Sequence, residues 1–88
     1  AQAMQSRMQD LQARLAETEV SGASGGDAVK LVMTCKGEVR SIQISPSVID
    51  PSDKETLEDL VMAAVNTARK NADQLMADET RKMMSELG

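Results

Sequence analysis

SDKETLEDLVMAAVNTARKNADQLM, residues Ser52–Met76, decides the fold. Its apolar residues are Leu57, Leu60, Val61, Ala64, Val65, Ala68, Ala72, Leu75 and Met76. Gaps of three and four between them draw one continuous stripe along an α-helix. Ser52 with Glu55 three residues on fits a capping box. Asp50 followed by Pro51 is a rival start, with Pro at the first helical position. No Gly or Pro interrupts the run before Gly88, so the helix is predicted to reach the mid-eighties, ~50 Å at 1.5 Å per residue. Asn71-Ala72-Asp73-Gln74 offers a fresh cap, which makes a break near Asn71 the alternative.

Working back from that helix, Ala28 to Ser45 reads as a hairpin. Val29, Leu31, Met33 and Cys35 alternate with Lys30, Val32, Thr34 and Lys36. Taking Lys36-Gly37 as a two-residue turn, with Gly37 supplying a positive φ, sets a register. Cys35 then opposes Glu38, Met33 opposes Arg40, Leu31 opposes Ile42 and Val29 opposes Ile44. Leu31, Ile42, Val29 and Ile44 all fall on one face, and a one-residue slip would invert them. Val20 to Asp27 (VSGASGGD) holds a short edge strand around Glu19–Ala23, with Gly22, Gly25 and Gly26 read as turn glycines. Pro46 to Pro51 is a tight connection plugged by Val48 and Ile49.

Ala1 to about Glu19 is predicted as a first helix. Met4, Met8, Leu11, Leu15 and Thr18 trace the seam of a short coiled coil. Two and a half heptads are too short to stand alone, so the seam needs a partner helix. The order is helix, three antiparallel strands, long helix: an α+β layer of sheet on helix, in one domain over residues 1–88.

The 88 residues include seven Met but no Phe, Trp or Tyr. A chain this small buries only roughly 60–65% of its unfolded surface, and here the bulkiest core formers are missing. So long a stripe has too little partner within one chain, which points to a homodimer. The expected interior and dimer residues are Met8, Leu11, Leu15, Val29, Leu31, Ile42, Ile44, Leu57, Leu60, Val61, Ala64 and Val65.

Chemistry is hard to place in this sequence. There is no His, hence no ordinary general base near neutral pH. The single Cys35 has no thiol partner for a disulfide and reads as a small half-buried side chain. Gly22, Gly25 and Gly26 lack the Lys-Ser/Thr and helix start of a phosphate loop. Asp50, Asp53, Glu55, Glu58 and Asp59 complement a helix dipole better than they surround a cation. No catalytic residue, metal, cofactor or small-molecule substrate is expected. Nothing resembles a secretory signal, and no apolar run approaches the ~20 residues of a membrane span. A cytoplasmic protein is expected.

Net charge is −4, which runs against a polyanion partner. The basic residues are nonetheless patterned. Arg7 and Arg14 share a face of the first helix, and Lys70 and Arg81 share a face of the last. Two such stripes can straddle a nucleic-acid backbone. The plainer reading is solvated ion pairs at helical spacing: Arg7 with Asp10, Arg14 with Glu17, Lys70 with Asp73, Lys82 with Asp78.

The run EVSGASGGDAVKLVMTCKGEVRSIQISPSVIDPSDKETLEDLVMAAVNTARKNADQ closely resembles the YbaB/EbfC family of small bacterial nucleoid-associated proteins. The matching features are the Gln/Met-rich first helix, the Gly-rich turn, Ile42-Gln43-Ile44-Ser45-Pro46-Ser47, Leu57-Glu58-Asp59-Leu60 and Ala64-Val65-Asn66-Thr67-Ala68-Arg69. The resemblance implies a homodimer with a continuous sheet and helical arms projecting like tweezers. It implies binding of double-stranded DNA with little sequence preference, in nucleoid organisation and gene regulation. Carried onto this chain, the DNA contacts are Arg7, Arg14, Lys70, Arg81 and Lys82. The competing expectation is a protein-interaction module whose Met-lined arms clasp a partner.

Overall fold

The computed structural model describes residues 2–87. Helix α1 spans Gln2–Glu17, strands β1, β2 and β3 span Glu19–Ser24, Val29–Thr34 and Val39–Ile44, and helix α2 spans Lys54–Leu87. The sheet is antiparallel in the order β1-β2-β3. The α+β order read from the sequence is the order found. The expected start of the first helix at Ala1 lies outside the described residues.

Helix α2 runs unbroken for 34 residues, about 51 Å. Its start is one residue later than the Ser52 capping box would set it. Asp53 caps it instead: Asp53 Oδ1 accepts from the Thr56 backbone N–H at 3.4 Å, and the Thr56 hydroxyl donates to Asp53 Oδ2 at 2.8 Å. Asp50 is engaged earlier, where the Ser52 N–H and hydroxyl both donate to its Oδ1. Those two bonds hold the Asp50 carboxyl below its ordinary range, the hydroxyl first. No break occurs at Asn71. Its side-chain amide leaves the helix surface and donates to the Ser21 carbonyl at 2.7 Å.

The sheet lies on the first half of α2. Ala64, Ala68 and Ala72 are fully buried, one turn apart, and form a flat track on which β1 rests. Gly22 sits in the middle of β1, so it is not a turn glycine. A Cβ there would lie 2.4 Å from the Ala64 carbonyl oxygen and the Ala68 nitrogen, so only a bare α-carbon permits this approach. Farther along, the Ser24 hydroxyl donates to the Leu60 carbonyl at 2.5 Å. Gly25 and Gly26 do serve the β1–β2 turn, at φ 60° and 64°, followed by Asp27 at 71°.

In the hairpin, Val29 opposes Ile44 and Leu31 opposes Ile42, as the alternation predicted. Nearer the turn the register differs: Met33 opposes Val39, not Arg40. Three residues, Cys35-Lys36-Gly37, make this turn. The Gly37 N–H donates to the Thr34 carbonyl at 2.9 Å, and the Thr34 N–H to the Glu38 carbonyl at 2.8 Å. With Gly37 at φ 94°, this is the three-residue hairpin loop. A bulge between Val32 and Met33 then restores the predicted pairing. Thr34, expected on the polar side, is buried. Its hydroxyl accepts from the Lys36 and Glu38 N–H groups.

Two interior clusters result. Val29, Leu31, Met33, Ala64 and Ala68 form the first, flanked by Ile44, Val48, Leu57, Leu60, Val61 and Val65. Leu11, Leu15, Cys35 and Met83 form the second, with Val20, Leu75 and Met76 against them. Cys35 is therefore the joint between sheet and arm, more deeply buried than a half-exposed turn residue. Burial, and secondarily the Glu79 carboxylate, pushes its thiol up. Ile49 is no plug; it is 56% exposed, and Val48 alone packs inward.

The radius of gyration is 16.8 Å, against about 12 Å for a compact chain of this length. The excess is the arm: α1 folds back along the second half of α2, beyond the sheet. Packing of α2 is concentrated on β1 and β2. Apart from Ile44, which packs on the first cluster, the helix-facing side of β3 is consequently open, leaving Val39 49% and Ile42 45% exposed.

Candidate nucleic-acid interface

The arm is an antiparallel helix pair. Arg7 meets Glu86 at 3.8 Å and Arg14 meets Glu79 at 3.0 Å. Both arginines lie one heptad apart on α1, and both glutamates one heptad apart on α2, so the two pairs repeat in register. Leu11, Leu15 and Met83 are buried in the seam beneath them. Met8 lies on the same stripe but is 36% exposed.

An open groove of about 250 Å³ follows this line of ion pairs, lined by Arg7, Asp10, Leu11, Arg14, Glu79, Lys82, Met83 and Glu86. From α1 it receives a cation, an anion and a cation; from α2, in facing order, an anion, a cation and an anion. Three positive and three negative side chains therefore share one groove, and its net charge is zero. Arg14 remains 63% exposed and Arg7 51% exposed, so both guanidiniums face water as well as their partners.

The structure thus brings Arg7, Arg14 and Lys82 together in a single groove. Arg81 points one step round α2 and pairs with Asp78 at 3.2 Å. Lys70 is exposed and lies about 17 Å nearer the sheet than Arg81. Among the described residues, neither Lys70 nor Lys82 is held in an ion pair. The intrahelical pairs expected for Arg7, Arg14, Lys70 and Lys82 are not the ones present. Glu17 turns to Arg40 at 3.5 Å, and Asp73 turns to Arg69 at 3.2 Å.

Sequence reasoning passed over the base of the arm. Arg40 reaches both Glu17 and Glu38. Arg69, the last residue of the Asn66-Thr67-Ala68-Arg69 run, places Nη1 3.1 Å from where a Cβ would stand on Gly37. The β2–β3 turn therefore sits against this guanidinium. It also passed over Glu79 and Glu86, although their seven-residue spacing matches that of Arg7 and Arg14.

The charge is unevenly distributed. Residues 50–59 contain five carboxylates and Lys54, which is the whole net charge of −4; elsewhere nine acids balance nine bases. Among the described residues, no three His, Cys, Asp or Glu side chains converge as a metal site. No described helix is long and apolar enough to cross a membrane.

The chain resembles curated nucleoid-associated proteins over most of its length. It is 48% identical over 87 residues to one from Rhodospirillum centenum, covering 99% of this chain and 81% of that one. One from Beijerinckia indica is 46% identical over 83 residues, covering 94% and 82%. One from Neisseria meningitidis is 51% identical over 76 residues, covering 84% and 68%. Its fold is shared by a crystal structure of the uncharacterized protein HP0035 from Helicobacter pylori. That likeness has a TM-score of 0.80 and 24% identity, covering 94% of this chain and 87% of that one. A family model for DNA-binding proteins, not for enzymes, matches residues 1–87. With that match and these relatives, the chain belongs to the YbaB/EbfC DNA-binding family.

Proposed function

We propose that two copies of this chain form a nucleoid-associated dimer that grips double-stranded DNA without reading its sequence. Arg7, Arg14, Lys70, Arg81 and Lys82 contact phosphates, and the dimer contributes to nucleoid organisation and gene regulation in the bacterial cytoplasm. The observation that carries this reading is the arm. Two packed helices hold guanidinium and ammonium groups on a rigid rod that projects clear of the sheet. Phosphate contacts fix position without carrying sequence information. The chain has no aromatic side chain on which unpaired bases would stack, which favours duplex over single strand.

Dimerisation is supported by the open side of β3. Val39 and Ile42 stand on the same face as buried Met33 and Leu31 but have no helix over them. A second copy laid against this shelf covers them and joins two sheets at their β3 edges, which also satisfies the free edge.

A salt titration of duplex binding tests the proposal. The log–log slope is expected near −0.9 per phosphate neutralised. A flat slope, or no binding at low salt, refutes it. The rival reading, a module that clasps a protein, is favoured by Met4 and Met84, which are 49% and 59% exposed near the arm's end. Under that reading Met8→Asp abolishes function while Arg7→Ala with Arg14→Ala leaves it intact.

A further inference from the structure

We propose that Glu79 and Glu86 are an autoinhibitory latch, carboxylates that occupy the Arg14 and Arg7 guanidiniums until a phosphate displaces them. The inference rests on the DNA-binding reading above and adds to it a mechanism of regulation. Three observations carry it. Arg14 Nη2 already lies 3.0 Å from Glu79 Oε2 and Arg7 Nη1 3.8 Å from Glu86 Oε2, so the groups meant for phosphate are engaged before DNA arrives. Both pairs join α1 to α2 across 65 or more residues of sequence, where local helical partners, Asp10 and Glu17, were available. The groove is neutral although it contains three of the five proposed contacts.

A carboxylate offers two oxygens to a guanidinium much as a phosphate does. Binding DNA is then an exchange. The guanidinium leaves the carboxylate for the phosphate, and the carboxylate is left facing solvent beside the polyanion. As the phosphate gives up its condensed cation, the freed carboxylate attracts one. The two effects offset each other, so in the wild type each latched arginine contributes little to the salt slope. With Lys82 and Lys70 there is no such exchange, and their contribution is complete.

The experiment measures duplex affinity and salt slope for the wild type, Glu79→Gln, Glu79→Gln with Glu86→Gln, and Asp10→Asn. Asp10 lies in the same groove, makes no ion pair among the described residues, and its replacement removes the same charge. Exposed pairs of this kind shift an equilibrium by roughly 1.4- to 5-fold each. Tightening of about 2- to 25-fold is therefore expected for the double glutamine variant, with the slope steeper by about 0.9 for each guanidinium freed. Asp10→Asn is expected to do less and to leave the slope unchanged. Arg14→Ala should weaken binding more in the Glu79→Gln background than in the wild type. Unchanged helical circular dichroism shows that the arms remain intact.

If Asp10→Asn tightens binding as much as Glu79→Gln, bulk charge is responsible and the latch is overturned while DNA binding stands. If only the glutamine variants bind, the latch is upheld in its strongest form. If neither wild type nor variants bind at low salt, the DNA-binding reading falls and the latch with it.

Discussion

Gly22→Ala is expected to be among the most damaging single-methyl additions in this chain. The added Cβ would stand 2.4 Å from the Ala64 oxygen and the Ala68 nitrogen and 2.9 Å from the Ala68 α-carbon. Ordinary contact begins near 3.4 Å, so strand and helix must part by about 1 Å. Those neighbours are backbone atoms in the middle of α2 and have no rotamer to change. Overpacking costs typically 1–3 kcal/mol, and this site should sit at the top of that range, about 3 kcal/mol. For a domain of this size the loss corresponds to a fall in Tm of about 12–24 °C. Urea unfolding followed by circular dichroism measures it, since the chain has no Trp or Tyr to report by fluorescence. Several protein concentrations are needed because the proposed dimerisation would add to apparent stability. Gly26→Ala is the comparison: nothing lies within 4 Å of its Cβ, but its φ is 64°. It therefore incurs only the left-handed penalty of about 1–2 kcal/mol. A cost below about 1 kcal/mol for Gly22→Ala, or one smaller than that of Gly26→Ala, refutes the close-approach argument. Adding Ala68→Gly should give no rescue, because the clash is with the backbone.

Two further perturbations probe the shelf and the joint. Ile42→Glu puts a charge on the uncovered side of β3 and should yield monomers in sedimentation, with loss of duplex binding; a stable dimer would place the interface elsewhere. Cys35 should react slowly with a thiol reagent in the folded protein. Its raised thiol pKa means that the native state keeps its proton when the unfolded chain has lost it. Stability should therefore fall as pH rises past about 8.5, the ordinary thiol value. Cys35→Ala should lack that component of the decline, and an identical pH profile would contradict it.

The long helix and the pairing of Val29 with Ile44 and Leu31 with Ile42 were legible because each is a periodic pattern. A period of 3.6 or 2 survives any detail of the surroundings. The turn was not legible to the residue. Lys36-Gly37 and Cys35-Lys36-Gly37 both supply a glycine for positive φ, and only the backbone bond from Gly37 to Thr34 separates them. Gly22 was misread because glycine has two uses, conformational freedom and absence of bulk, and a sequence does not say which applies. Asn71 has the form of a helix cap, yet a strand carbonyl stood within reach and took its amide. The ion pairs failed for a general reason. Helical spacing offers Arg7 and Arg14 local partners, whereas the true partners are set by how two distant helices fold together. The exposed apolar shelf on β3 was equally hidden: Ile42 alternates as a core residue should, but α2 is too narrow to cover three strands.

An acidic protein that binds DNA invites the objection that its own field repels the ligand. Here the geometry answers it. The net −4 is confined to residues 50–59, at the sheet end of α2. From Asp59 to Arg81 is 22 residues of helix, about 33 Å, or some four Debye lengths at physiological salt. The acidic pole is therefore screened from anything held near Arg81, while Lys70, 11 residues from Asp59, stands about 17 Å from it, some two Debye lengths. The arms gain no attraction either, because their own charges nearly cancel. A neutral arm has no long-range field to draw in a duplex, so steering of the kind that lifts association rates by 10–10³ is absent. On the proposed latch, affinity arises at contact, where a phosphate replaces a carboxylate on Arg7 and Arg14 and meets Lys70 and Lys82 directly. Association should be slow and weakly dependent on salt, while dissociation carries the sensitivity to Glu79 and Glu86. Stopped-flow rates that rise steeply as salt is lowered would show a field the charge distribution does not contain.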